Sequence, residues 1–400
     1  MPRCCPRRPA STRRRRSWPS PSAMPATSSP PEVVVPDPQT TPVVAAPVIA
    51  TWSAPRTTVV TGAAGWLGRA LTHRLLADPQ RPHLRLLAHS TAEADDLRRF
   101  VDQHDAAAQR RIDIIIGDVA RADTAARLLY QVGADTDVVH TAGIIHPRRV
   151  RQFYEINTNG TRHLAAAARD AGVRRFVHVS SNSPFGTNPD TGDTFRHDEP
   201  FHPYLGYGDS KMQGEMAVNE AVAAGLDATI VRPPWFYGPF QPPRQTTFFR
   251  MVRNGKFPVI GAGQQRRSMV YVDNLVDGIL CAELTPAARG KGYWVADQRA
   301  YTVAEIVETV GRALVDEGLS VKPPTTHLPN VAALIAEVGD RVLQRVGVYQ
   351  QQLHVLGEMG HTIAVDISRT TAEIGYVPKV ELYEGMRRSI RWCLDQGLEL

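Results

Sequence analysis

A short apolar run that meets three regularly spaced glycines leaves a chain few ways to fold. Val59-Val60-Thr61-Gly62-Ala63-Ala64-Gly65-Trp66-Leu67-Gly68 reads as strand, tight turn and helix, with the helix reaching about Leu76. In such a turn the first glycine adopts a conformation closed to side chains, the second lets a ligand approach the backbone, and the third lets helix pack on strand. The free N–H groups and dipole at the helix start suit a pyrophosphate. The spacing G-x-x-G-x-x-G is one residue longer in its first gap than the common dinucleotide fingerprint, so a glycine-rich turn without a ligand is the competing reading.

The residues downstream favour the nucleotide. Leu84-Arg85-Leu86-Leu87, Ile112 to Ile116, Asp137 to His140 and Phe176 to Val179 are short apolar runs. Helical stretches about Glu93–Gln103, Thr124–Gln131 and Thr161–Ala171 separate them. Regular strand-helix alternation predicts an α/β fold, a Rossmann-like doubly wound parallel sheet with helices on both faces. Right-handed crossovers then place Gly62, Asp118, Ala142, Gly143 and Ser181 along the edge where the strands end, which is where such sheets bind ligands. After the second strand comes Ala88-His89-Ser90, with no carboxylate where a ribose 2′-hydroxyl would be met. His89, with Ser90 and less directly Arg85, could instead receive a 2′-phosphate, which tilts the choice between NAD and NADP toward NADP.

Charge lies in one place. Residues 1–56 carry eight arginines against Glu32 and Asp37, which accounts for the whole net charge of +6, so residues 57–400 sum to zero. The basic pI therefore describes a tail and not a nucleic-acid surface. That tail, with Arg13-Arg14-Arg15-Arg16 and many Ser and Pro residues, is expected to be a disordered, dispensable extension with Met24 as an alternative start. An organellar transit peptide competes with that reading. No apolar region follows the arginines as an export signal requires, and Pro36, Pro38, Pro42 and Pro47 break the stretch 33–50, so no membrane span is expected. Cys4, Cys5, Cys281 and Cys393 show no metal or disulfide spacing, which fits a reducing, cytoplasmic location.

Tyr207 and Lys211 stand four apart, on one face of a helix one turn from each other. A phenol near pKa 10 is a poor base at neutral pH, and a neighbouring ammonium favours its ionised form. Ser180-Ser181 lies upstream, after the fifth predicted strand.

With these pieces the chain resembles the extended short-chain dehydrogenase/reductases, in particular the NAD-dependent epimerase/dehydratase family, and also its 3β-hydroxysteroid dehydrogenase-like branch. The resemblance runs from about Thr57 to Trp392 through Thr61 to Gly68, Gly117-Asp118-Val119, His140 to Gly143, Asn157-Thr158-Asn159-Gly160-Thr161, Val179-Ser180-Ser181, Tyr207 to Lys211, Arg232-Pro233-Pro234, Tyr237-Gly238-Pro239 and Val270 to Asn274. It implies that Gly62, Gly65 and Gly68, with Ala64, Trp66 and Leu67 of the same loop, hold the cofactor pyrophosphate. Asp118 and Val119 would lie near the adenine, Ala142 and Gly143 beside the cofactor, and Pro233 by the nicotinamide. Tyr207 would be the acid/base. Lys211 would bind the nicotinamide ribose and lower the tyrosine pKa, and Ser181 would hydrogen-bond the reacting oxygen, with Ser183 as a less fitting substitute. Asn157 matches a position that is structural in some branches and part of a proton relay in others.

The resemblance divides the chain into a tail at 1–56, a cofactor domain at 57–232 and a substrate lobe at 233–400 with segments returning to the main sheet. Arg267 matches an arginine that holds a substrate diphosphate in nucleotide-sugar enzymes, and Asn182 would join Ser181 on the substrate side. The loop Ser181-Asn182-Ser183-Pro184 lacks the Thr-Asp-Glu run of sugar dehydratases, so dehydration is not expected. A nucleotide-sugar epimerase-like activity stands first, and oxidation or reduction of an apolar alcohol or ketone second. A non-catalytic cofactor sensor stands third. A homodimer is a further implication of the family. Helix 330–345 is amphipathic, and its apolar residues Val331, Leu334, Ile335, Val338, Val342 and Leu343 are expected to pack into the core, with a flap over an apolar substrate as the alternative.

Overall fold

Each anticipated apolar run forms a strand in the computed structural model, which describes residues 49–400. The expectations about residues 1–48, including Cys4, Cys5, Met24 and the arginine run, lie outside the described residues. The strands are β1 (Thr57–Thr61), β2 (His83–Ala88), β3 (Ile112–Ile116), β4 (Thr136–His140), β5 (Arg175–Val179), β6 (Ala228–Arg232), β7 (Trp235–Tyr237), β8 (Val259–Ile260), β9 (Arg266–Tyr271), β10 (Gly292–Trp294), β11 (Ala300–Thr302) and β12 (His327–Leu328). Seven of them make one sheet in the order β10-β6-β5-β4-β1-β2-β3, and every pair in it is parallel.

Burial explains why these runs are not alternating. Every residue of β4, β5 and β6 is buried, because helices cover both faces of the sheet, whereas the edge strand β3 leaves Asp113 and Ile116 exposed. One face is covered by helix Trp66–Leu76, whose Leu71 and Leu75 are fully buried with Leu84 and Leu86 of the sheet. The other is covered by helices Thr161–Asp170 and Leu205–Ala223 through Leu164, Ala168 and Val218. Each such large apolar side chain contributes about 1.5–3 kcal/mol by leaving water.

The chain departs from the periodicity at the start of two helices. The second begins at Thr91 and not near Glu93, because Ser90 Oγ accepts from the Glu93 N–H (3.3 Å) while Glu93 Oε2 accepts from the His89 N–H (2.8 Å). Ser90 thus satisfies one orphan donor of the helix, while Glu93 ties down the N–H just before the cap. Ahead of helix Thr161–Asp170, residues Tyr154–Gly160 form a wider turn with i→i+5 spacing, a local bulge that helices use near functional sites.

Beyond β6, strands β11-β9-β7 form a second sheet, and β8 pairs with β12. Helices Asn330–Arg345 and Gln351–Met359 pack together beside the start of helix Leu205–Ala223. Here the core expectation fails. Val331, Leu334, Ile335, Val338 and Val342 are more than half exposed, and Leu343 is half-buried. The inward face is instead Ala333, Ala336 and Asp340. Asp340 can be buried because its carboxylate accepts from Gln344 Nε2 (3.0 Å to each oxygen) and lies 2.8 Å from His354 Nδ1.

No described helix is long and apolar enough to cross a membrane, and among the described residues no group of three or more His, Cys, Asp or Glu stands together to hold a metal ion. Cys281 and Cys393 are free thiols.

Candidate active site

The glycine loop at the end of β1 is shaped by close approach. Gly62 has φ +70°, and a Cβ there would stand 2.8 Å from the Ala142 nitrogen. At Gly68 a Cβ would fall 2.0 Å from the Gly62 carbonyl oxygen, so only glycine lets the helix descend onto the strand. Gly65 is the N-cap of helix Trp66–Leu76. It offers no side-chain cap, and the first turn holds no acidic residue. That leaves the helix N-terminus free to receive an anion, so the residues present fit a dinucleotide pyrophosphate. Leu67 is buried beneath the loop, and the Ala64 carbonyl accepts from Arg69 Nε (3.0 Å). The Trp66 indole turns sideways, donating to the Pro239 carbonyl (2.7 Å) against the Phe236 ring (4.4 Å between centroids).

At the tip of β2 the geometry departs from the expectation of a phosphate site. His89 is exposed, and Arg85 is turned away, with Nη1 donating to the carbonyls of Leu128 (3.0 Å) and Tyr130 (2.8 Å). The group brought to this tip is the Glu93 carboxylate, held by the His89 N–H (2.8 Å). A carboxylate absent from the strand end in sequence is returned there by the first turn of the next helix. Farther along the edge, Asp118 Oδ1 accepts from the Ala120 N–H (2.9 Å) and shapes the turn carrying Val119, whose carbonyl and methyl stand against Gly160.

A buried polar chain ties the next strand end to the wide turn. Thr161 Oγ1 donates to the Asn157 carbonyl (2.7 Å), so it accepts from His140 Nε2 (2.9 Å); His140 Nδ1 is then the acceptor for Thr61 Oγ1 (2.7 Å). Thr61 Oγ1 in turn accepts from the Ala142 N–H (3.3 Å). Complete burial holds His140 neutral down to a pKa of about 3, consistent with a ring that only relays hydrogen bonds. The Asn157 side chain grips the stretch after Ala142-Gly143: Oδ1 accepts from the Ile144 N–H (2.8 Å), and Nδ2 donates to the Ile144 carbonyl (3.0 Å) and Ser210 Oγ (3.1 Å). Asn157 thus braces the strand end against the helix that carries Tyr207 and Lys211.

Ser181, Tyr207 and Lys211 converge at the ends of β5 and β6. Lys211 Nζ is buried and donates to the Val179 carbonyl (2.8 Å), two residues before Ser181. Burial lowers its pKa to about 8, against a smaller upward pull from Glu215. Ser181 Oγ lies 3.3 Å from Ser183 Oγ and accepts from the Ser183 N–H (3.3 Å), so Ser183 supports Ser181. Its hydrogen bond to Tyr207 favours the ionised phenol, yet burial dominates and pushes Tyr207 up to about 12. The Lys211 ammonium is held by the Val179 carbonyl. Pro233 and Asn182 are buried at the adjoining strand ends.

On the substrate side Arg267 does not point free. It sits in β9, donates to the Glu358 carbonyl and stands 3.8 Å from the Glu358 carboxylate. Sequence reasoning missed the groups that do flank Tyr207. Tyr349 Oη meets His146 Nδ1 (2.9 Å), and its ring lies 5.4 Å from that of Phe153, which in turn is 5.8 Å from Tyr207. Arg244 lies over Trp66 (5.9 Å), makes no ion pair among the described residues, and its charge registers on Tyr207 and Tyr349. No motif marks Tyr349 or Arg244, since both arrive from helices or loops more than thirty residues away in sequence.

The chain matches the NAD dependent epimerase/dehydratase family over residues 58–296. It is 45% identical over 343 residues to the "Uncharacterized protein y4nL" of Sinorhizobium fredii, covering 85% of this chain and 95% of that protein. It is 26% identical over 349 residues to the UDP-glucose 4-epimerase of Vibrio cholerae, covering 85% and 96%. The fold is also that of DesIV, a dTDP-glucose 4,6-dehydratase from Streptomyces venezuelae solved with NAD bound, at 24% identity with a TM-score of 0.66 over 86% of this chain and 99% of that one. With the glycine loop at the end of β1 and the parallel order β3-β2-β1-β4-β5-β6, the chain belongs to the NAD-dependent epimerase/dehydratase family of extended short-chain dehydrogenases/reductases.

Proposed function

We propose that the protein transfers a hydride between a nicotinamide cofactor and a secondary alcohol or ketone carbon, with Tyr207 exchanging the proton on the reacting oxygen. The observation that carries this reading is the convergence of Ser181, Tyr207 and Lys211 beside a glycine loop open to a pyrophosphate. The cofactor supplies the hydride donor or acceptor. Ser181 orients the substrate oxygen toward the Tyr207 hydroxyl. Lys211, with a pKa of about 8, is poised to carry charge beside the phenol once a bound ribose draws its ammonium from the Val179 carbonyl. Glu93 at the tip of β2 favours NAD over NADP, reversing the tilt drawn from His89.

Among substrates a nucleotide sugar comes first, supported by the UDP-glucose 4-epimerase relative that aligns over 85% of this chain. Oxidation, rotation of the bound ketone and return of the hydride to the other face would then give epimerisation. A specific observation favours the second reading, an apolar alcohol or ketone: Arg267 is engaged by Glu358, and Tyr349, Phe153 and His146 line the approach to Tyr207.

The test is melting of the protein with NAD, NADP and a panel of UDP-, GDP- and dTDP-sugars, followed by turnover of any stabilising sugar. Tyr207→Phe should retain cofactor-induced stabilisation and lose about 10²–10⁴-fold in turnover. Undiminished turnover in that variant would remove Tyr207 from the chemistry. Stabilisation by NAD but by no nucleotide sugar would move the substrate to the apolar class.

A further inference from the structure

The exposed apolar face of helix Asn330–Arg345 has no role in the site described above. At about 100° per residue, Val331, Leu334, Ile335, Val338, Val342 and Val346 fall within about 120° of arc. All six are 54–71% exposed, and they form one continuous stripe along the helix. The opposite face is anchored: besides the buried Asp340, Gln344 Oε1 accepts from the Gly206 N–H (3.0 Å), the residue before Tyr207. The stripe is therefore a fixed outer surface on the wall of the catalytic cleft. Isolated exposed valines need no explanation, but a contiguous row on a rigid helix does.

Charge identifies what would cover it. Arg345 projects within the stripe near its C-terminal end. The chain at Arg149 bridges Val348 just beyond that end, and the Val150 N–H donates to the Gly347 carbonyl (3.2 Å), bringing exposed Arg148 and Arg149 alongside. None of these three arginines makes an ion pair among the described residues. The stripe itself carries no acidic residue. The two carboxylates of the helix are engaged elsewhere, Glu337 with Arg341 (2.9 Å) and His361 (3.0 Å), and Asp340 with His354 and Gln344. A second copy would thus offer this stripe no counter-charge for its arginines. An apolar row in one plane with uncompensated cations at its end matches a surface that is apolar below and anionic above.

We infer that helix Asn330–Arg345 docks on an anionic lipid bilayer, with the apolar stripe in the acyl boundary and Arg148, Arg149 and Arg345 on the headgroups. The pocket of about 580 Å³ lined by Tyr204, Gly206, Arg341, Gln344 and Arg345 then opens at the lipid surface. This requires no membrane span and is independent of which substrate is turned over.

The test is co-sedimentation of the full chain with phosphatidylcholine vesicles, alone or mixed with phosphatidylglycerol, at two salt concentrations. Wild type should bind the mixed vesicles and bind neutral ones far less. Ile335→Glu with Val338→Glu should weaken binding roughly tenfold or more by removing the apolar insertion. The triple change Arg148→Gln, Arg149→Gln, Arg345→Gln should weaken it on the order of a hundredfold and flatten its salt dependence. All five positions are exposed, and an unchanged melting midpoint checks the fold. Because the arginine-rich tail is present throughout, binding that survives the glutamate changes would overturn the inference by placing the contact elsewhere. So would equal binding to neutral vesicles, no binding by wild type, or a concentration-dependent dimer in sedimentation velocity that the glutamate changes abolish.

Discussion

Replacing Glu93 by Gln isolates one charge at the proposed ribose position. The Glu93 carboxylate accepts from the His89 N–H, and its backbone N–H donates to Ser90 Oγ, so Gln keeps an oxygen acceptor and the cap survives. What changes is electrostatic. Two unit charges about 4 Å apart interact by about 1 kcal/mol in water and about 4 kcal/mol at the effective dielectric of a protein surface. Glu93 is half-buried, so a value near 2 kcal/mol is reasonable, equivalent to about thirtyfold in the NADP-to-NAD affinity ratio. The assay is titration of wild type and variant with each cofactor, at low and at high salt. Wild type should prefer NAD. The variant should gain on NADP and lose a little on NAD, and the change in ratio should shrink as salt screens it. Wild type preferring NADP, or a ratio that moves less than about threefold, would refute the argument from Glu93.

Two further outcomes concern stability. His140 and His178 are buried and neutral, their pKa values lowered by burial, whereas in the unfolded chain both take a proton below about 6.5. The unfolded state then binds more protons, so each histidine's contribution is intact above pH 6.5 and is lost as pH falls toward its folded pKa, about 2 kcal/mol apiece by pH 5. Among the described residues neither ring nitrogen of His178 has a hydrogen-bond partner, so His178→Leu loses no bond and should remove about 2 kcal/mol of the acid loss in urea titrations at pH 6.5 and 5; an unchanged loss would show that His178 is not one of its sources. Glu215→Ala should cost about 3–5 kcal/mol, read as a fall in melting midpoint, because it strands the Arg232 guanidinium, now paired at 2.7 Å, beneath the Phe185 and Trp294 rings. A fall equivalent to less than about 1 kcal/mol would mean water reaches that guanidinium.

Much of the fold is legible in the sequence. Five strands and the helices between them follow from apolar runs and periodicity, since a sheet covered on both faces demands apolar residues at nearly every strand position. The motif residues at strand ends were readable because parallel topology sends all those ends to one edge. The pattern Ser90-x-x-Glu93 is a local signal for a helix start at Thr91 and for a carboxylate at the tip of β2.

Helix Asn330–Arg345 marks the boundary most clearly. Its limits were predicted to the residue from periodicity, yet the direction of its apolar face was not, because amphipathicity says that two faces differ and leaves open which one the rest of the chain meets. Asp340 decided it. A carboxylate can turn inward only where partners wait, and His354 and Gln344 are supplied by the packing of one helix on another and by the helix's own next turn. The same holds for Arg267, which the motif marks as free for a diphosphate and which Glu358, 91 residues on, engages. Sequence alone determined the sheet, the edge where its strands end and the residue types proposed for hydride transfer, because those depend on local pattern and topology. Tertiary structure alone decided which charges remain unpaired, which carboxylate reaches the cofactor edge and which face of a helix meets solvent, because those depend on partners distant in sequence.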